Sequence, residues 1–491
     1  MRRRKRDTIR GVTLAVVVGL TGSVAAVPAT ADEPAAGLVW GACPDDVVVP
    51  PPWVLRCATV PVPVDYRAPD GEQIEIMISR LASTESDKRR GVLMLNPGGP
   101  GGSGLSFPAD LASHGMPQGV LDSYDVIGMD TRGIGHSAPV SCGFTADQDY
   151  LGAIPPYAVD DAAVVEQATV AKGVAHQCAA HDTDGRLRHI STANMARDLD
   201  RIRAALGEEK TSFLGYSYGS ALGAAYASMF PERSDRIVLD SNIGDTHLDR
   251  DGLRRYALGM EDTFPDFAKW AAARHESYGL GRTPAEVRRT YFALAERLDE
   301  SPTADMDGRL FRLATFAGLY GKTRYAPTAQ GWQSLRDGDD RAATTLSTPA
   351  PNDSMWSVFL AVTCNDIEWP SDVETYRRAV AQDRERYPLF GAASANIVPC
   401  AYWPHEPAEP PVAVNDHGPA NVLVVQNRRD PVTPHRGGEL IDEKFGDRSR
   451  LVSVDGTGHG VYALSDNACA LNTTTSFLVD GKLPKQDMSC R

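Results

Sequence analysis

Gly215-Tyr216-Ser217-Tyr218-Gly219 sets a serine between two glycines in the spacing G-x-S-x-G. A serine at the centre of such a pattern can act as a nucleophile when a strained strand-to-helix turn lifts its hydroxyl toward a substrate. The flanking glycines suit a crowded turn, where a Cβ would collide with neighbouring backbone. A serine hydroxyl also needs a base to take its proton and an acid to hold that base in one tautomer. Asp430 follows the apolar run 421–426 and opens the turn Asp430-Pro431-Val432-Thr433-Pro434. His459 lies between Gly458 and Gly460, just after the run 450–455, which reads as the last strand. The order serine, acid, base along the chain makes Ser217–Asp430–His459 the expected triad. His136 is a rival base that precedes Ser217 and does not fit that order.

Attack on a carbonyl creates an oxyanion that needs N–H donors. Asn96-Pro97-Gly98-Gly99-Pro100-Gly101-Gly102-Ser103-Gly104 follows the run 91–95. Its glycines leave backbone N–H groups unobstructed, and Gly99 is the expected first donor. Tyr218, the residue after the serine, is expected to supply the second. A phosphate-cradling loop is disfavoured, because no Gly-Lys-Ser/Thr ending is present. Thr433 is placed to hydrogen-bond within the acid's turn. Asp130-Thr131-Arg132-Gly133-Ile134-Gly135-His136-Ser137 is placed to brace the glycine loop, with Arg132 as a buried ion-pair partner.

The elements that position these residues are legible as apolar runs. Residues 57–64 and 74–81 read as an early antiparallel pair. Residues 91–96, 124–130, 212–215, 236–241, 421–426 and 450–455 read as buried parallel strands, the last five separated by helical or irregular stretches. Residues 220–233 form a helix of small side chains stopped near Pro231. Alternation of strands and helices indicates an α/β fold with a mostly parallel central sheet. Between about 245 and 410 the pattern changes to helical periodicity, as over 262–276 and 284–298, broken by Pro- and Gly-rich connectors. The expected organisation is a core over 38–245, a mainly helical cap inserted over 246–410, and the rest of the core over 411–491. Residues 404–411 read as a Pro-rich linker back to the sheet.

Residues 1–31 read as a secretory leader. Five basic residues at 2–6 precede an apolar stretch over 12–27 and a small-x-small site at Ala29-Thr30-Ala31. The stretch is too short for a stable membrane span, and no cysteine follows it closely enough for a lipid anchor. Removing six Lys/Arg and one Asp with the leader takes the formal net charge from −14 to about −19. That charge argues against nucleic acid or an anionic membrane as a partner. Eight cysteines, an even number, fit disulfides in an exported protein. Sequential pairing would join Cys43–Cys57, Cys142–Cys178, Cys364–Cys400 and Cys469–Cys490, although the count alone leaves the connectivity open. No C-x-x-C spacing points to a metal, and the triad chemistry calls for no metal or organic cofactor.

Taken together, Pro97-Gly98-Gly99-Pro100-Gly101-Gly102, Asp130-x-Arg132-Gly133-x-Gly135-x-Ser137, the Ser217 pentapeptide, Asp430-Pro431-Val432-Thr433-Pro434 and Gly458-His459-Gly460 resemble the proline-iminopeptidase branch of the α/β hydrolases. Within it the chain is most similar to secreted bacterial tripeptidyl aminopeptidases, from about residue 38 to 490. One departure is Pro97, where histidine more commonly opens the oxyanion loop. The resemblance implies an α/β-hydrolase fold, extracellular exopeptidase action on peptides with a free N-terminus, and recognition of the substrate ammonium by acidic groups under the cap. Asp366 and Glu368, in Cys364-Asn365-Asp366-Ile367-Glu368-Trp369, are the expected partners of that ammonium. Release of one, two or three residues stays open. So does an extracellular carboxylesterase or lipase using the same triad.

Overall fold

A computed structural model describes residues 37–145, 148, 150, 152–338 and 353–491. The leader expected over 1–31 lies outside the described residues. Ten strands form one sheet: β1 (Gly41–Ala42), β2 (Arg56–Pro63), β3 (Gln73–Leu81), β4 (Gly91–Asn96), β5 (Tyr124–Met129), β6 (Thr211–Tyr216), β7 (Ser234–Asp240), β8 (Val422–Arg429), β9 (Ser449–Thr457) and β10 (Met488–Cys490). Their order is β1-β2-β3-β5-β4-β6-β7-β8-β9-β10. The first three strands pair antiparallel with their neighbours, and β5 through β10 run parallel. The expected strands are all present. β9 is not the last of them, because the three-residue β10 adds itself to the edge.

Strands buried on both faces must be apolar at successive positions. Along β8, Val422 and Val424 enter one core cluster and Leu423 and Val425 the other. Fifteen helices are described. They are α1 (Phe107–His114), α2 (Gln118–Ser123), α3 (Asp161–His181), α4 (Thr192–Ala205), α5 (Tyr218–Met229), α6 (Arg250–Ala272), α7 (His275–Tyr278), α8 (Pro284–Glu300), α9 (Gly308–Gly318), α10 (Tyr325–Asp337), α11 (Asp353–Asp366), α12 (Val373–Arg386), α13 (Gly391–Ser394), α14 (His435–Phe445) and α15 (Ala468–Asp480). One sheet face carries α1, α2 and α15; α4, α5 and the helices between β7 and β8 contribute to the core on the other. Small residues let α5 lie close to the sheet: a Cβ on Gly223 would come within 2.7 Å of Phe213 and Leu239.

Between β7 and β8 the described residues form helices α6–α13 and no strand. Side-chain caps start several of them, with Asp249, Thr283 and Asp307 accepting N–H groups of α6, α8 and α9. Gly37–Arg491 cluster as one compact unit. A second excursion, between β5 and α4, joins these helices. Gln167 donates to the Ile397 carbonyl, Asn396 to the Pro156 carbonyl, and Arg377 pairs with Asp161. The four disulfides are Cys43–Cys57, Cys142–Cys178, Cys364–Cys400 and Cys469–Cys490, the sequential pairing. Four such bonds fit a protein exported to an oxidising environment. Among the described residues no helix is long and apolar enough to cross a membrane.

Candidate active site

β6 ends at Tyr216 and α5 begins at Tyr218, so Ser217 forms the whole turn between them. Its φ of 57° and ψ of −124° are strained for a residue with a Cβ. Neighbours packed at van der Waals limits hold the strain. A Cβ on Gly215 would lie 2.2 Å from the Gly219 carbonyl oxygen, and one on Gly219 would lie 2.7 Å from that of Asn96. Gly98, at φ +97°, approaches so closely that a Cβ would sit 2.5 Å from the Tyr216 oxygen and 2.9 Å from the Ser217 Cβ. The Ser217 N–H donates to the Asp240 carbonyl at the end of β7 (3.0 Å).

His459 follows β9. Its Nδ1 lies 2.9 Å from Asp430 Oδ2 and 3.1 Å from Oδ1. A carboxylate there fixes the tautomer with the proton on Nδ1 and leaves Nε2 as the basic nitrogen. Asp430 is fully buried. Its Oδ1 accepts the Val432 and Thr433 N–H groups (both 2.9 Å), and its Oδ2 accepts the Thr433 hydroxyl (2.9 Å). The Thr433 oxygen also lies 3.2 Å from His459 Nδ1. Burial disfavours the imidazolium, but the charge and hydrogen bond of Asp430, with Asp240 further off, hold the His459 pKa above its ordinary value.

The histidine's loop is gripped from three directions. Asn427 donates to the Gly458 carbonyl (2.8 Å), and Ser241 accepts the Gly460 N–H (2.9 Å). From the helical segment, the Tyr320 carbonyl accepts the His459 N–H (2.8 Å), and the Tyr320 ring stands edge-on to the imidazole at 5.5 Å.

Ser217, Gly99 and His459 line one cavity of about 290 Å³. The rest of its wall is mostly apolar and includes Ile154, Tyr256, Met355, Trp356, Phe359 and Val432. Ile154 comes from the excursion after β5, and Met355, Trp356 and Phe359 from α11. Ile154, Met355, Trp356 and Phe359 belong to no motif, and only their apolar character is visible in the sequence. Among the described residues no backbone–backbone hydrogen bond outside the helices and strands uses the Gly99 or Tyr218 N–H. Asp130 braces the glycine loop, accepting the Ser103 hydroxyl (2.5 Å) and the Gly104 N–H (3.3 Å). Gly101 seats the loop against α11, since its Cβ would fall 2.6 Å from the Met355 carbonyl oxygen.

Arg132 is fully buried and pairs with Asp198 (2.6 Å), as its sequence context suggested. His136 faces Asp46 and Asp130 and does not line the cavity. Asp366 and Glu368 are not brought to the cavity either. Asp366 is buried at the end of α11, where its carboxyl accepts the N–H and hydroxyl of Thr192 at 2.8 and 2.5 Å. It therefore caps the start of α4, and burial pushes it up to about 7. Glu368 is exposed beyond the helix.

The model of the TAP-like protein family matches residues 387–490. A tripeptidyl aminopeptidase of Streptomyces lividans is 34% identical over 477 residues, covering 93% of this chain and 87% of its own. The chain belongs to the tripeptidyl aminopeptidase family of α/β hydrolases. A serine protease Hip1 of Mycobacterium tuberculosis is 31% identical across the full length of both chains. Carboxylesterase B of the same species is 30% identical over 89% of this chain and 86% of its own. As a member of the tripeptidyl aminopeptidase family the protein is an enzyme, a serine peptidase built on the α/β-hydrolase fold.

Proposed function

We propose that the protein is a secreted serine exopeptidase that releases short peptides, tripeptides foremost, from free N-termini. The observation that carries this reading is the His459–Asp430 pair opening into the cavity that also holds the strained Ser217. His459 Nε2 takes the Ser217 proton as Oγ attacks the scissile carbonyl. The Gly99 and Tyr218 N–H groups meet the oxyanion. Collapse breaks the C–N bond, and His459 returns its proton to the leaving amine. Water then attacks the acyl-enzyme by the same steps and frees the N-terminal fragment. The apolar cavity wall suits an uncharged side chain next to the scissile bond, and no step calls for a metal or organic cofactor. Export through the leader at 1–31 agrees with the four disulfides.

Mass spectrometry of a peptide mixture with free and acetylated N-termini tests the reading. N-terminal tripeptides are expected from the free peptides alone, and none from Ser217→Ala. Equal cleavage of the acetylated set would sink the exopeptidase assignment. The likeness to a carboxylesterase supports a second reading, hydrolysis of esters by the same triad. Turnover of short-chain esters with no cleavage of any peptide would establish that reading instead.

A further inference from the structure

We propose that Asp240 is a second carboxylate serving the base, a positioning residue that ties the His459 loop to the nucleophile's turn and acts on the imidazole through its charge. The inference rests on the reading of Ser217 and His459 as nucleophile and base.

Asp240 ends β7, opposite Tyr216 of β6 and Val425 of β8. Its carbonyl accepts the Ser217 N–H, and its side chain reaches the other way. Oδ2 accepts the Tyr462 N–H (2.7 Å), and Oδ1 accepts the Val461 N–H (3.1 Å) and the Ser241 hydroxyl (2.9 Å). Ser241, held at φ +56°, passes the grip on by accepting the Gly460 N–H (2.9 Å). Consecutive N–H groups at 460, 461 and 462 thus end on two adjacent residues at the C-terminal end of β7. The backbone of one residue fixes the nucleophile, and its side chain fixes the loop that presents the base.

A clip of this kind needs no charge, yet Asp240 has one to give. It is fully buried, and three donors converge on its two oxygens, an arrangement that suits the ionised form. Burial opposes this and pushes its pKa up to about 7, while the Tyr462 and Val461 N–H groups, Ser241 and His459 pull it down. The imidazole is the one cationic side chain among the influences on it. The groups facing His459 are Asp430 from the turn after β8, Asp240 from β7 and Tyr320 from the helical segment, and Tyr256 from α6 lines the same cavity. Those facing Asp240 are His459, Tyr216 and the Tyr462 backbone. Of all these, the two carboxylates alone stabilise a proton on the base.

The test is the pH dependence of Ser217 labelling by a fluorophosphonate, which reports the base without requiring that peptides be substrates. In Asp240→Asn the plateau rate is expected to fall about tenfold, and the acidic limb to move down by roughly half a pH unit or more. A folded Asp240→Asn whose limb stays at the wild-type position overturns the inference, whatever its plateau. If that variant does not fold, Ser241→Ala removes one donor from the carboxylate and should move the limb the same way by less. An unmoved limb there also overturns it. A wild-type protein that is not labelled at Ser217 would instead bring down the functional reading, and this inference with it.

Discussion

Replacing Asp366 by Asn should make the protein more stable at pH 8 and alter its stability little at pH 4. The carboxyl is 6% exposed, touches no cation, and is raised from 3.8 to about 7, chiefly by burial. The folded chain therefore keeps the proton between pH 4 and 7, where the unfolded chain has released it. Stability is fully present below the unfolded value and is lost as pH rises through the folded one. A rise of about three pH units at about 1.4 kcal/mol each amounts to about 4 kcal/mol by pH 8. Asparagine reproduces the protonated pattern: its oxygen accepts the Thr192 N–H, and its amide donates to the Thr192 hydroxyl, which reaches the Tyr218 hydroxyl at 2.7 Å. Thermal melts of both proteins at several pH values between 4 and 8 give the comparison. The variant should gain several degrees of apparent Tm over the wild type by pH 8. Because Asp240 is also raised to about 7, the variant should keep part of the downward slope. Melting curves that run parallel across the whole range would refute the argument, since they would mean that Asp366 is equally charged in both states.

Thr433→Val removes the hydroxyl from Asp430 Oδ2 and from the neighbourhood of His459 Nδ1 while leaving two N–H groups on Oδ1. Steady-state kinetics should show kcat down about tenfold with KM nearly unchanged, and melts a loss of about 1 kcal/mol. Removing Cys364–Cys400, which closes a separation of 36 residues, should cost about 4 kcal/mol by loop entropy. It should also raise KM, because Cys364 shares α11 with the cavity residues Met355, Trp356 and Phe359.

The sheet was legible because buried parallel strands must be apolar at successive positions, as in Val422-Leu423-Val424-Val425. The edge strands were not, since two residues at β1 and three at β10 carry no period. α6 was seen only over its later turns, although it runs from Arg250 through Pro265 to Ala272. The excursion carrying α3 was absorbed into the core because the helix's buried stripe is faint: small alanines, one cysteine and the polar Gln167 beside two valines. At the site, Ser217, Asp430 and His459 stood out because each follows an apolar run at a glycine- or proline-marked turn. Asp240 also ends an apolar run, but Ser241 and Asn242 follow it and no glycine marks the place. Asp366 and Glu368 do not line the cavity that holds Ser217, for a different reason. Acid composition says nothing of which way a helix end faces, and at the end of α11 the carboxyl turns toward Thr192.

The attachment of His459 to Tyr320 links access to the cavity with alignment of the proposed base. Tyr320 follows α9, in the helical segment between β7 and β8. Its carbonyl holds the His459 N–H, its ring abuts the imidazole, and a Cβ on Gly458 would come within 3.0 Å of its carbonyl oxygen. The opposite side of the loop is anchored to the sheet through Asn427, Ser241 and Asp240. A displacement of the segment that widened the cavity at Tyr320 would therefore break the N–H bond or draw the imidazole from Asp430. Packed interiors transmit such shifts because they have little void to absorb them. Misplacement by about 1 Å can cost on the order of a hundredfold in rate. A substrate too bulky for the cavity should consequently lose kcat as well as affinity, whereas in a cavity walled independently of the base it would lose affinity alone.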